Sequence, residues 1–384
     1  MLIFEVGAVR GAGMAETARA YNGLGFQLLA QCRQTLPTKT NFFLSPAGLA
    51  FALSMVQNGA QGETLRQIMA TLEVGNIPLP QLNEDNKALV EHLSKLDPKV
   101  KLEIANAIWI DRKASVKSDF IAINQRDYNA DVANDNFQDP ATVKKINNWV
   151  SERTHEKIRS ILEPPLDPFL RLILLDAIYF KGTWVSPFAT NATREMPFTL
   201  GNGQSIQQPR MSHTDHYSYI EGNGFQAVEL PYAGGQISMY VFLPAGSLDE
   251  FLKSFTVAEF ESAISQMSSS KGTVELPRFK LENEYDLTHV LPPMGMALAF
   301  TPQADFSGIS DEPLHIGFVK QKTYLDVNEQ GTEAAAVTAI GVRAMAMRRE
   351  PPPFHFIVDR PFFIAIREKE TGLILFLGAI FDPR

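Results

Sequence analysis

Apolar positions along the chain change their period partway through. Residues 15–34 place Ala18, Tyr21, Leu24, Phe26, Leu28 and Leu29 at helical spacing, which predicts an amphipathic helix. Ser45-Pro46 reads as a helix start, with serine as the cap and proline in the first turn. The stretch that follows, AGLAFALSMV, is apolar on every side, so this helix belongs in the interior. A third helix is predicted after Gly62 (ETLRQIMATL), and a more polar one over about 80–95. KLEIANAIWI at 101–110 reads as a strand, and Asp139-Pro140 opens a further amphipathic helix, ATVKKINNWVSERTHEKI. From 171 the pattern turns to β-type runs separated by turns: RLILLDAIYF, SMYVFLP, GTVELPRF, KTYLDV, HFIVDRPFFIAI and LILFLGAIF. Helices at 257–267 and about 285–291 interrupt them. No linker, repeat or low-complexity tract separates the two halves, so early and late elements share one core in a single α+β domain.

Composition narrows the function classes. At 384 residues, 45% hydrophobic and 20% charged, the chain has material for a large core. Its net charge of −8 and pI near 5.5 argue against a nucleic-acid or anionic-membrane partner. No run approaches the roughly 20 apolar residues that span a bilayer. The opening MLIFEVGAVRGAG lacks the basic start, long apolar core and cleavage site of a secretory signal. Met14 precedes the first regular helical pattern, so residues 1–13 are expected to be an extension and 14–384 the domain. Cys32 is the only cysteine, which excludes an intramolecular disulfide and leaves the compartment open.

Catalytic motifs are missing. There is no G-x-S-x-G, P-loop, H-E-x-x-H or C-x-x-C, and GAVRGAG at Gly7–Gly13 lacks a preceding strand and dinucleotide spacing. His213 and His216 are the one close histidine pair, and on a strand they point to opposite faces. Glu282, Glu284 and Asp286 read as a solvated face. Asn191-Ala-Thr193 is a glycosylation sequon, informative only in a secreted eukaryotic protein. Residues 80–98 set Glu84, Asp85, Glu91 and Asp97 against Lys87 and Lys95, so no basic patch for sulfated polysaccharides is expected there. No enzyme, cofactor or metal site is predicted.

The segment NEQGTEAAAVTAIGVRAMAMRREPPP (328–353) is the unusual one. From Gly331 to Met347 it carries two charges and no proline, too apolar for a linker and too rich in Val, Thr, Ile and Gly for a helix. At period 2, one phase holds Thr332, Ala334, Ala336, Thr338, Ile340, Val342 and Ala344, all uncharged. The other holds Glu333, Ala335, Val337, Ala339, Gly341, Arg343 and Met345, with both charges. Such a strand can bury one face and expose the other, and without proline it keeps every ladder N–H. Pro351-Pro352-Pro353 ends it. The segment is competent as a central strand yet placed as a long connection, and such connections are usually functional.

Several blocks resemble the serpin family across nearly the whole chain after about residue 15. VNEQGTEAAA (Val327–Ala336) matches the serpin hinge signature almost letter for letter. NFFLSP (Asn41–Pro46) and Gly59-Ala-x-Gly-x-Thr64 are similar to the early helix motifs, and DAIYFKGTW (Asp176–Trp184) to the central-sheet block. DRPFF (Asp359–Phe363), Gly378 and Pro383 resemble the C-terminal block. The resemblance implies three β-sheets, eight or nine helices and an exposed reactive-centre loop at about 329–352. It implies a metastable monomer that acts as a suicide substrate for a serine protease. After acylation the cleaved loop inserts into the central sheet and the trapped protease is distorted. The hinge is then Glu329, Gly331, Thr332, Glu333, Ala334, Ala335 and Ala336. The sheet-opening region is Ser45, Pro46, Asp176, Trp184 and Gln321, with Trp184 receiving the first inserted residues. Family role favours a secreted or periplasmic location.

In the family the scissile bond commonly follows the seventeenth residue counted from the hinge glutamate. Counting from Glu329 gives Met345–Ala346. Methionine fits the apolar pockets of elastase-, chymotrypsin- or subtilisin-like enzymes. The rival is Arg343, which suits a trypsin-like pocket but shortens the inserted strand by two residues, roughly 7 Å. Ala344, Met347 and Arg348 are further neighbours. Three departures from the family pattern cluster together: Asp176 for asparagine, Gln321 for histidine and Gly48 for serine. An Asp/Gln pair can still bond, the amide donating to the carboxylate, and the expectation is an altered opening step. A non-inhibitory carrier or chaperone-like member is the alternative, although such members tend to carry charged or bulky hinge residues.

Overall fold

The computed structural model describes residues 2–35, 39–332 and 352–384, with the backbone alone for 2–10. Among these residues the helices are α1 (Leu2–Thr35), α2 (Pro46–Gln57), α3 (Gly62–Thr71), α4 (Leu79–Leu93), α5 (Ser118–Tyr128), α6 (Pro140–Arg153), α7 (Leu248–Ser254) and α8 (Val257–Gln266). The first eight strands are β1 (Phe42–Leu44), β2 (Val100–Asp111), β3 (Asp131–Asp135), β4 (Leu172–Thr183), β5 (Arg194–Thr199), β6 (Ser205–Gly222), β7 (Phe225–Pro231) and β8 (Ile237–Pro244). The remainder are β9 (Ser268–Pro277), β10 (Phe279–Asp286), β11 (Phe318–Asn328), β12 (Gly331–Thr332), β13 (Phe354–Ile357), β14 (Phe362–Glu368) and β15 (Ile374–Ile380).

The strands form two hydrogen-bonded ladders. One runs β10-β11-β12-β4-β2-β3, and the other runs β1-β15-β14-β8-β7-β6-β9-β13 with β5 beside β6. The larger ladder joins two of the three expected sheets. Along β6, residues 210–219 pair with β9, and residues 219–222 turn to β7. The fold is α+β as expected, with first and last segments in contact: β1 pairs with β15.

Local chemistry explains the central elements. The Ser45 hydroxyl accepts from the Gly48 N–H at 3.1 Å, Pro46 takes the first turn, and all twelve residues of α2 are buried. Asp139 caps α6 through the Ala141 N–H at 2.9 Å. The six-stranded sheet is covered on both faces. The main core, including Phe51 and Leu53 of α2, packs on one side, and Val143, Ile146 and Val150 of α6 on the other. Burial on both faces is why β4 reads as an unbroken apolar run.

One expectation changes. The helix over about 285–291 does not form. β10 continues to Asp286, with Leu281 and Tyr285 buried and Glu282, Glu284 and Asp286 exposed, so period 2 prevails there. At the N-terminus, α1 is continuous from Leu2, running through Met14 with no proline to break it. The strands β5 and β6 also lie where the apolar pattern is weak, since most of their side chains are polar and at least partly exposed.

Candidate functional site

The site sits at the upper end of the six-stranded sheet. Strands β11 and β4 run parallel and in register from Phe318 opposite Ile173 to Tyr324 opposite Tyr179. Beyond that they separate, and Gly331 and Thr332 occupy the gap. Thr332 lies opposite Val327 on one side and Gly182 on the other, and Gly331 opposite Asn328 and Thr183. A strand is therefore started between β11 and β4 and continues no further among the described residues.

Glycine is required at 331. Its φ is +150°, and a Cβ there would lie 2.0 Å from the Gly182 carbonyl oxygen. Thr332 is fully buried, and its hydroxyl meets the Tyr232 hydroxyl at 2.7 Å. Tyr232 stacks on Trp184 with ring centroids 4.5 Å apart and meets Phe180 edge-on. The Trp184 ring N–H donates to the Asn328 carbonyl at 3.0 Å, and its backbone N–H to the Gln330 carbonyl at 2.9 Å.

Glu329 anchors the other end of this turn. It is buried, accepting from Arg278 Nε at 2.7 Å, from the Arg278 Nη2 group and from the Thr193 hydroxyl at 2.5 Å. Desolvation pushes its carboxyl pKa up, but the Arg278 and Thr193 hydrogen bonds outweigh it and hold the group below its ordinary value.

Beneath the sheet, Gln321 ties three elements together. Its Nε2 donates to Asp176 Oδ2 at 2.5 Å and to the Ser45 carbonyl at 2.8 Å, while its Oε1 accepts from the Ser45 N–H at 2.8 Å. The Ser45 hydroxyl donates to the Leu375 carbonyl at 2.6 Å. Gln321 and Asp176 face each other across β11 and β4, so parting the strands breaks this bond. The expected amide-to-carboxylate bond is present. Gly48 completes the arrangement, because a Cβ there would lie 2.4 and 2.5 Å from the two Asp176 oxygens. Asp176 Oδ1 has no partner, nor has Oδ1 of Asn106, its neighbour across β2. Burial pushes the Asp176 carboxyl up to about 8, opposed by the Gln321 hydrogen bond.

Of the predicted site residues, the structure gathers Ser45, Asp176 and Gln321 at the sheet's underside and Glu329, Gly331, Thr332 and Trp184 at its top. Pro46 serves α2. Glu333, Ala334, Ala335, Ala336, Arg343, Met345 and Ala346 lie outside the described residues. Sequence reasoning missed Arg278, Thr193 and Tyr232, which meet the hinge from distant segments. Among the described residues no cluster of His, Cys, Asp and Glu is arranged to hold a metal ion.

The family model for serpins (serine protease inhibitors) matches residues 19–383. Iripin-8 of Ixodes ricinus is 37% identical over 94% of this chain and 92% of its own length. The structure of native protease nexin-1 with heparin superposes with a TM-score of 0.85 at 30% identity, covering 96% of this chain and all of that one. Human thyroxine-binding globulin, complexed with thyroxine, superposes at 0.89 with 23% identity over 97% and 99%, a likeness of fold alone. With the hinge and the sheet built as described, the chain belongs to the serpin family.

Proposed function

We propose that the protein inhibits serine proteases as a suicide substrate, presenting Met345–Ala346 to an elastase-, chymotrypsin- or subtilisin-like enzyme. The observation that carries this reading is the seated Thr332, between two strands that no longer pair with each other at that point. The protease serine Oγ attacks the Met345 carbonyl carbon, the Met345–Ala346 C–N bond breaks, and the Ala346 amine leaves with a proton. The ester-linked loop then continues the strand begun at Gly331 and Thr332, parting β11 from β4. Small uncharged residues on the phase that includes Ala334 and Ala336 would enter between the strands with little resistance.

Incubation of the full chain with elastase, chymotrypsin, subtilisin and trypsin tests this. A covalent complex that survives denaturing electrophoresis with one of the first three is expected, and Met345→Glu should abolish it. A complex with trypsin alone, lost in Arg343→Ala, transfers the bait to Arg343. Clean cleavage by all four with no complex makes the protein a non-inhibitory member.

A further inference from the structure

A cavity opens beside the hinge, where β2 begins and β4 ends. It encloses about 450 Å³, a size suited to a small organic molecule. Its apolar side is built from Trp184, Val185, Pro187 and Pro98, and Gln330 of the hinge closes one wall. Val185 is 54% exposed, one of three large hydrophobic side chains beyond one-third exposure among the described residues. Its polar side is Lys99, Lys101 and Lys181.

The lysines make the cavity unusual. Lys101 and Lys181 are directly opposite each other on β2 and β4, so their side chains project from the same face. Like charges in that relation destabilise a sheet. Among the described residues none of the three ammonium groups has a hydrogen bond or ion pair, although the chain carries a surplus of acids. The nearby carboxylates are committed elsewhere. Asp97 accepts from the Lys99 backbone N–H at 2.8 Å, and Glu103, two residues along from Lys101, meets His155 at 2.8 Å. Three uncompensated cations beside an apolar wall hold an anion better than they hold the fold.

We propose that this cavity binds a small amphiphilic anion: a sulfonate, sulfate or carboxylate carried on a compact aromatic or alicyclic body. The charged head bridges Lys101 and Lys181 with Lys99 at the rim, and the body lies along Val185, Pro187 and the edge of Trp184. Because Gln330 forms part of the wall, an occupant touches the hinge. The acidic stretch 80–98, just before these lysines, disfavours a long polyanion, which would have to run past Glu91 and Asp97.

The test uses the full chain and 8-anilinonaphthalene-1-sulfonate, followed by dye fluorescence. Saturable binding at one site is expected. Lys101→Gln and Lys181→Gln should each weaken it about tenfold, the loss of one charge-assisted hydrogen bond. N-phenyl-1-naphthylamine, the same body without the sulfonate, should not compete. Both variants should melt no lower than the parent chain, since each removes a like-charge repulsion, so a loss of binding cannot be traced to a damaged fold. Dye affinity unchanged in the double variant overturns the proposal, as does competition by the neutral amine. Displacement by heparin chains but not by a monosaccharide sulfate would assign the lysines to a polysaccharide and overturn it too.

Discussion

Asp176 is a carboxylic acid in a place that offers it one hydrogen bond. Its pKa, near 3.9 in an unfolded chain, rises to about 8 on burial. Between those values the native state holds a proton that the unfolded state has lost, so stability falls as pH rises from about 4 to 8 and levels off above. Asp176 Oδ1 and Asn106 Oδ1, on registered residues of β4 and β2, are both without a partner. Asp176→Asn removes the titration. Chemical denaturation at pH 5 and pH 8.5 should show a smaller loss in the variant than in the parent chain. His315 drifts the opposite way, its pKa lowered by desolvation and then by Arg171, but it is common to both proteins and cancels in the comparison. Equal losses in both would remove Asp176 as the source. At the hinge, Gly331→Ala sets a Cβ against the Gly182 carbonyl at a φ that disfavours it. Unfolding in urea should show a cost of about 2 kcal/mol or more, and an unchanged midpoint would mean that the backbone there can shift freely.

At the scale of elements, the parts legible in the sequence are those whose signals are local. The Ser45-Pro46 start and the apolar length of AGLAFALSMV place α2 in the interior, and the continuous run of β4 announces a strand buried on both faces. Thr332, first on the phase expected to be buried, is buried, but so are Glu329 and Gly331 of the other phase, so this short piece of strand does not separate the two phases. What could not be read depends on partners far along the chain. Nothing near Glu329 names Arg278, fifty-one residues away, and nothing near Thr332 names Tyr232, a hundred away. Polar β6 hid for a different reason: successive ladders to β5, β9 and β7 hold it along its length, so it needs little apolar alternation. The departures at Gly48, Asp176 and Gln321 were legible one by one, but their mutual fit is a matter of 2.4 Å and needs coordinates. The hinge itself yields an element-scale prediction. Thr332→Arg puts a long cation into a closed site and removes the bond to Tyr232, so insertion should stall after acylation. The protease would then hydrolyse the ester, and denaturing electrophoresis should show cleaved chain with at least a tenfold drop in complex relative to the parent protein. An undiminished complex would mean that insertion does not begin at Thr332.

For the whole molecule, the sheet geometry sets how much stability the proposed insertion would release. β11 and β4 share seven registered pairs below the gap. A loop inserted along that length gives up one ladder and makes two, a net gain of about seven backbone hydrogen bonds. At roughly 1 kcal/mol each this is about 7 kcal/mol. A chain of this size gains on the order of 0.8 kcal/mol per kelvin of entropy on unfolding at its melting temperature, so the added stability corresponds to a rise of about 9 °C. Side chains buried on the inserted phase add to that figure. Cleavage within the loop by a protease that does not remain bound should therefore raise the midpoint of thermal unfolding by this much or more, in a protein with one peptide bond fewer. Thr332→Arg should suppress the rise, because it blocks the path of the strand and not the cut. A cleaved parent chain that melts at the temperature of the intact one would show that the gap above Tyr324 and Tyr179 holds two residues as a fixed end and admits no more.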